Sequence, residues 1–246
     1  MTDHHGTRVL FVQHQDDGPP GHVGDRMEQH GAEIDVVRAQ AGRLPSPEDY
    51  DLIVPLGCYD SAYDDSLPYL AQEWTLLAGA VAADVPVFGI CFGAQLLSRV
   101  LGGEVHASPD GPEVGWKEIE TAPAAAGTVE RGPWLVWHLD VMTTPPGGIE
   151  LARTGWGTQA FRVGPHLGTQ FHPEATVDGV LSWADHYRDL LPELGTGYDE
   201  MAAVTRGMAA DAARRAYELT DRVLAQARRG RAGAGATAGE RRTTGP

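Results

Sequence analysis

Cysteine is scarce in this chain: Cys58 and Cys91 are the only two in 246 residues, which excludes a disulfide framework and a cysteine-rich metal cluster. Long apolar runs are missing as well. No segment approaches the ~20 apolar residues of a membrane span, and the start, MTDHHGTRVLFVQ, lacks the basic stretch and apolar core of a secretion signal. These absences lead to the expectation of a cytoplasmic protein in a reducing compartment, with no membrane partner. Positive charge is the third shortage. Lys and Arg number 19 against 34 Asp and Glu, a net charge of −15, and residues 1–199 hold 10 basic against 29 acidic side chains. An acidic body of this kind repels phosphate backbones, so no nucleic-acid partner is expected. Residues 200–246 are mildly basic, 9 against 5, and their arginines are dotted through Ala and Gly in the manner of a solvated end.

Other absences narrow the chemistry further. Glycine-rich pieces such as GTGYDE and GAGATAG have neither the strand-to-helix context nor the Lys-Ser/Thr of a phosphate loop. His4, His5, His14, His22 and His30 have no second ligand cluster at a metal-binding spacing, so neither a metal nor another cofactor is expected.

What is present is a hydrophobic content of 42%, enough for one sizeable α/β domain. Short β-prone runs, RVLFVQ (8–13), EIDVVRA (33–39), YDLIVPLG (50–57) and VPVFGI (85–90), alternate with helical patterns at 22–30, 68–83 and 94–101. In the second of these, Leu70, Trp74, Leu77 and Val81 form the expected inner face. Such alternation predicts βαβ units: an open, mainly parallel, twisted sheet flanked by helices, flavodoxin-like in type. Beyond residue 104 the pattern changes to short β-like pieces, 115–120, 134–138, 150–155, 159–164 and 166–171, read as antiparallel additions, followed by a helix over 177–191. The expected organisation is a domain over 7–191, a linker and helical segment over 192–229 with Met208, Ala212, Leu219, Val223 and Leu224 on one face, and a disordered tail over 230–246.

The chemistry centres on Gly89-Ile90-Cys91-Phe92-Gly93. Its layout is that of a nucleophile elbow, in which a strand meets a helix through a sharp turn and flanking glycines let the two approach closely. The following helix N-terminus favours a thiolate, and the Phe92 amide can serve an oxyanion. Taken alone, a buried core cysteine explains the stretch as well. A cysteine nucleophile needs a base and the base needs an orienting group, however, and GTQFHPEAT (168–176) supplies His172 and Glu174 after another short strand. The two segments together point to a Cys91–His172–Glu174 triad.

These residues resemble the class I glutamine amidotransferase family, and the chain is similar to a stand-alone form of the glutaminase domain of GMP synthase. G-x-C-x-G-x-Q corresponds to Gly89, Cys91, Gly93 and Gln95, and H-P-E to His172, Pro173 and Glu174, within a resemblance that covers about residues 7–191. It implies attack of Cys91 on the side-chain amide of glutamine, giving a γ-glutamyl thioester and ammonia, with His172 as base and Glu174 as its orienting partner. Phe92 and Gly57 are the implied oxyanion donors, although PLGCYDSAYDD (55–65) departs from the family's usual Gly-Gly-Pro-like loop. Gln95 is the implied glutamine-binding residue, and His138 and Asp140 in WHLDV (137–141) are implied pocket groups. A separate synthetase or acceptor subunit is the implied partner. Two other functions stay open at this point: a γ-glutamyl peptidase or hydrolase acting on larger compounds, and a non-catalytic regulatory subunit, which the intact triad disfavours.

Overall fold

The computed structural model describes residues 6–242, with side chains described to Gly230. Strand and helix alternate in the first half: β1 (Arg8–Gln13), α1 (Gly21–Gln29), β2 (Glu33–Arg38), β3 (Leu52–Pro55), α2 (Leu70–Ala82), β4 (Phe88–Ile90) and α3 (Phe92–Val100). The second half is largely β: β5 (Val105–Ala107), β6 (Glu113–Thr121), β7 (Gly132–His138), β8 (Asp140–Met142), β9 (Ile149–Thr154), β10 (Gly157–Val163) and β11 (His166–Thr169). Two helices, α4 (Val177–His186) and α5 (Tyr198–Arg242), complete the chain.

β2, β1 and β3 form a parallel ladder. β4 pairs in parallel with β11, which carries the antiparallel strands β10, β9, β6 and β7 in that order. A parallel bridge between Ile53 and Val87, with the Ile53 amide donating to the Pro86 carbonyl at 3.0 Å, joins the two ladders into one mixed sheet. The parallel half and the antiparallel additions are those the sequence pattern predicts. β5 and β8 pair separately as a small antiparallel ribbon.

Alternation along β1 explains the layering. Val9 and Phe11 face a core shared with Val23 and Met27 of α1 and Leu219 and Leu224 of α5, whereas Leu10 and Val12 face one shared with Leu77 of α2 and Leu97 of α3. A strand buried on both faces reads as a continuous apolar run, which is why RVLFVQ is legible.

Three expectations change. The inner face of α2 is rotated by one position: Leu70, Glu73, Leu76, Leu77 and Ala80 are buried, while Trp74 lies at the surface beneath the Arg99 guanidinium, 5.4 Å from the ring centroid. The helix expected to 191 ends at His186, and a short 3-10 turn over Leu191–Leu194 follows, closed by Gly195 at φ 76°. The third concerns the C-terminal segment. Most of the 192–229 segment is helix α5, and Leu219, Val223, Leu224 and Ala227 enter the same core as β1 and α1. Arg215, buried on this helix, donates to the Pro133 carbonyl at 2.7 Å. The helix continues to Arg242 through part of the stretch expected as a disordered tail. Residues 243–246 of that expectation lie outside the described residues. Among the described residues, no helix is long and apolar enough to cross a membrane.

Candidate active site

The C-terminal ends of β1, β3, β4 and β11 converge on one edge of the sheet, and the residues singled out from the sequence gather there. Cys91 separates β4 from α3 and has φ 51° and ψ −110°, a conformation that side-chain-bearing residues rarely adopt and that the surrounding structure has to impose. Its neighbours do so. The Cys91 amide donates to the Thr169 carbonyl of β11 at 2.8 Å, and the Gly93 amide to the Leu56 carbonyl at 3.2 Å. The glycines are sterically required: a Cβ on Gly89 would lie 2.6 Å from the Gly93 carbonyl oxygen, and one on Gly93 would lie 2.1 Å from that of Pro55. Strand and helix therefore approach as closely as the elbow motif demands.

His172 follows β11 across a bend, its amide donating to the Leu135 carbonyl at 2.8 Å. Its Nδ1 lies 2.7 Å from Glu174 Oε1, so Nδ1 carries the proton that is donated to the carboxylate. Among the described residues Nε2 has no hydrogen-bond partner, although the residue is only 6% exposed. Burial alone lowers the proton affinity of this imidazole. Glu174 and Cys91 outweigh it and hold the His172 pKa well above the ordinary imidazole value. Trp183 of α4 packs edge-on against the ring at 5.0 Å between centroids. The bend is fixed on its far side by Thr176, whose hydroxyl caps α4 by accepting from the Gly179 amide.

Gly57 closes over the pair. A Cβ there would stand 3.2 Å from His172 Cε1 and 3.6 Å from Cys91 Cβ, so the loop after β3 brings its backbone against both side chains. Phe92 opens α3, where the amide has no intrahelical partner. Cys91, Gly57, His172, Glu174, Trp137 and Trp183 line one cleft. From Cys91 a second cavity of about 250 Å³ extends past Gln95, His138 and Asp140 to Tyr187 and Glu193.

The expected pocket residues are present but largely occupied with one another. Gln95 donates from Nε2 to the Asp140 carbonyl at 3.2 Å and to Gln170 Oε1 at 3.1 Å. His138 has Nδ1 2.9 Å from that same carbonyl and Nε2 2.9 Å from Glu113 Oε2, which also accepts from Thr154 and Gln159. Both nitrogens of His138 are thus bonded inside the protein. Asp140 Oδ1 accepts from the Tyr63 hydroxyl at 3.2 Å.

Gln170 is the site residue that the sequence reading passed over. Its Nε2 lies 3.6 Å from Cys91 Sγ, and its signal is its place directly after β11, two residues before His172. Cys58 also borders both cavities. Burial is the main cause that pushes its thiol pKa up to about 12, and Tyr69 and Asp60 surround the sulfur.

With this geometry in view, comparison with known proteins is informative. The model of the glutamine amidotransferase class-I family matches residues 22–179, a span that includes Cys91, His172 and Glu174. The glutamine amidotransferase-like protein YfeJ of Salmonella typhimurium is 29% identical over 204 residues, covering 76% of this chain and 83% of YfeJ. A glutamine-hydrolysing GMP synthase of Aeropyrum pernix is 43% identical over 95 residues, which cover 36% of this chain and only 18% of that protein. The crystal structure of a glutamine amidotransferase from Thermotoga maritima superposes with a TM-score of 0.82 at 26% identity, covering 90% of this chain and 99% of that one. The chain therefore belongs to the class-I glutamine amidotransferase family.

Proposed function

We propose that the protein hydrolyses the side-chain amide of glutamine through a γ-glutamyl thioester on Cys91. The observation that carries this reading is the convergence of Cys91, in a strained conformation at a helix N-terminus, with a buried His172 oriented through Nδ1 by Glu174. In this mechanism the thiol proton passes to His172 Nε2 ahead of attack, in keeping with the raised pKa of that imidazole, and Sγ attacks the γ-carbonyl carbon as the thiolate. The amides of Gly57 and Phe92 receive the negative charge that develops on the oxygen. Collapse of the tetrahedral intermediate breaks the C–N bond, His172 passes the proton to the departing nitrogen, and ammonia leaves. Water then attacks the thioester with His172 as base, and glutamate is released as the proton returns to Sγ. Gln170 and Gln95 face the sulfur and the cavity beyond it, where the rest of the substrate lies.

A second reading, hydrolysis of larger γ-glutamyl compounds by the same residues, is favoured by the second cavity. It continues from Cys91 to an apolar rim at Leu139 and Leu190, and its lining among the described residues includes Asp60, Asp140 and Glu193 but no Lys or Arg. An amine with an apolar or cationic body suits such a wall. If ammonia is passed on, the acceptor is a synthetase-type partner, in the role for which the GMP synthase relative is named.

The test is to trap the acyl-enzyme with glutamine and with a panel of γ-glutamyl amides and to read its mass on Cys91. A glutamyl adduct is expected on Cys91 and lost in Cys91→Ala, and Glu174→Gln is expected to lower turnover ~10²–10⁴-fold. The donor that reacts fastest identifies the substrate class. No adduct from any donor would overturn the proposal.

A further inference from the structure

His14 and Glu73 are ionisable, fully buried and outside the mechanism above. His14 is the first residue after β1 and Glu73 lies in the first turn of α2; Nε2 and Oε2 are 2.8 Å apart, and both side chains have 0% exposure. Among the described residues, Glu73 Oε1 and His14 Nδ1 have no hydrogen-bond partner. A polar pair is costly to bury in this way unless the surrounding structure needs its shape.

Its surroundings are the two walls of the oxyanion site. The His14 ring packs edge-on against Phe92, 4.8 Å between centroids, and in a tilted contact against Tyr69 at 5.5 Å. Phe92 is the residue that follows the nucleophile. The Tyr69 hydroxyl donates to Asp60 Oδ2 at 2.6 Å and lies 3.2 Å from Cys58 Sγ, so it holds the loop that contains Gly57. Two further bonds hold the loop after β1 in place: Gln40 donates to the His14 carbonyl at 3.0 Å, and Gln15 Oε1 accepts from the Tyr59 amide at 3.2 Å.

We propose that the buried His14–Glu73 pair is a positioning device for the oxyanion site, setting Phe92 directly and the Gly57 loop through Tyr69. Neither residue touches substrate. The inference rests on the reading of Phe92 and Gly57 as the amides that receive the developing charge.

Two reactions of Cys91 in the full chain separate positioning from general structural support. Alkylation by iodoacetamide displaces iodide at a saturated carbon and develops no oxyanion, whereas acylation by glutamine or γ-glutamyl-p-nitroanilide does. His14→Phe and Glu73→Ala are expected to slow acylation ~10–100-fold, since small misplacements of such donors cost this much. KM and the alkylation rate should stay close to those of the parent. Glu73→Gln, which keeps an oxygen facing His14, should recover part of the loss, and Tyr69→Phe should show the same split more weakly. Parental acylation rates in the folded variants, or equal losses in both reactions, would overturn the proposal. If the His14 and Glu73 variants do not fold, Tyr69→Phe decides: a selective loss of acylation supports the proposal, and unchanged acylation overturns it. A parent chain that neither donor acylates removes the proposed function and this inference with it, whereas acylation of parent and variants alike removes only the inference.

Discussion

At the scale of single residues, His172 carries the clearest electrostatic signature. Burial works against its imidazolium, yet Glu174 at 2.7 Å and the adjoining Cys91 raise the pKa well above the ordinary value. The folded protein therefore keeps a proton that the unfolded chain has released once the pH passes ~6.5. Stability from this group is complete below that pH and declines as pH rises through the raised value, by at most ~1.4 kcal/mol per pH unit for one proton. A series of urea denaturations across this window should show the decline, and Glu174→Gln should flatten it. Cys91, His172 and Glu174, the proposed catalytic grouping, were legible in the sequence because they sit in two short local motifs. His14 and Glu73 were not: they are separated by 59 residues, and a Glu in the first turn of a helix ordinarily faces solvent. His138 lines the second cavity, but no local pattern could reveal that Glu113 and the Asp140 carbonyl occupy both its nitrogens.

At the scale of elements, legibility followed length and environment. β1 and β3 are continuous apolar runs buried on both faces, and β6, β7, β9 and β10 are bounded by turns, so each had a pattern long enough to read. β5 and β8 have three residues each and exist only through their pairing with one another, which no window along the chain detects. The face of α2 was misread at Trp74 because a large aromatic at helical spacing reads as core, whereas here its ring supports the Arg99 guanidinium at the surface. For α5 the spacing of Ala212, Leu219, Val223 and Leu224 was informative, but what covered that face was not. These four side chains are buried, and the last three enter the core beneath β1. Leu224→Ala is accordingly expected to cost ~2–5 kcal/mol, the range for emptying a packed leucine site, as measured by the shift of the urea midpoint at constant slope.

At the scale of the whole molecule, the mixed sheet places Cys91, His172 and the Gly57 loop on one edge from strands far apart in sequence. The parallel half supplies Gly57 and Cys91, and the junction with the antiparallel half supplies Gln170 and His172. This division was readable as a fold class, whereas the single bridge at Ile53 and Val87 that unites the halves was not. The C-terminal helix closes the arrangement by returning to its beginning. Arg228 on α5 donates to the Thr7 hydroxyl at 3.0 Å and to the His30 carbonyl at 3.1 Å, so two positions at opposite ends of the described chain are in contact. The protein is thus a natural substrate for circular permutation: a short peptide joining Thr7 and Arg228 directly, with residues 1–6 and 229–246 left out and new termini cut at the exposed Pro109–Asp110 turn, should preserve the native far-ultraviolet spectrum and cooperative unfolding. The order in which the strands leave the ribosome would then be rewired while the reactive edge of the sheet stayed as it is.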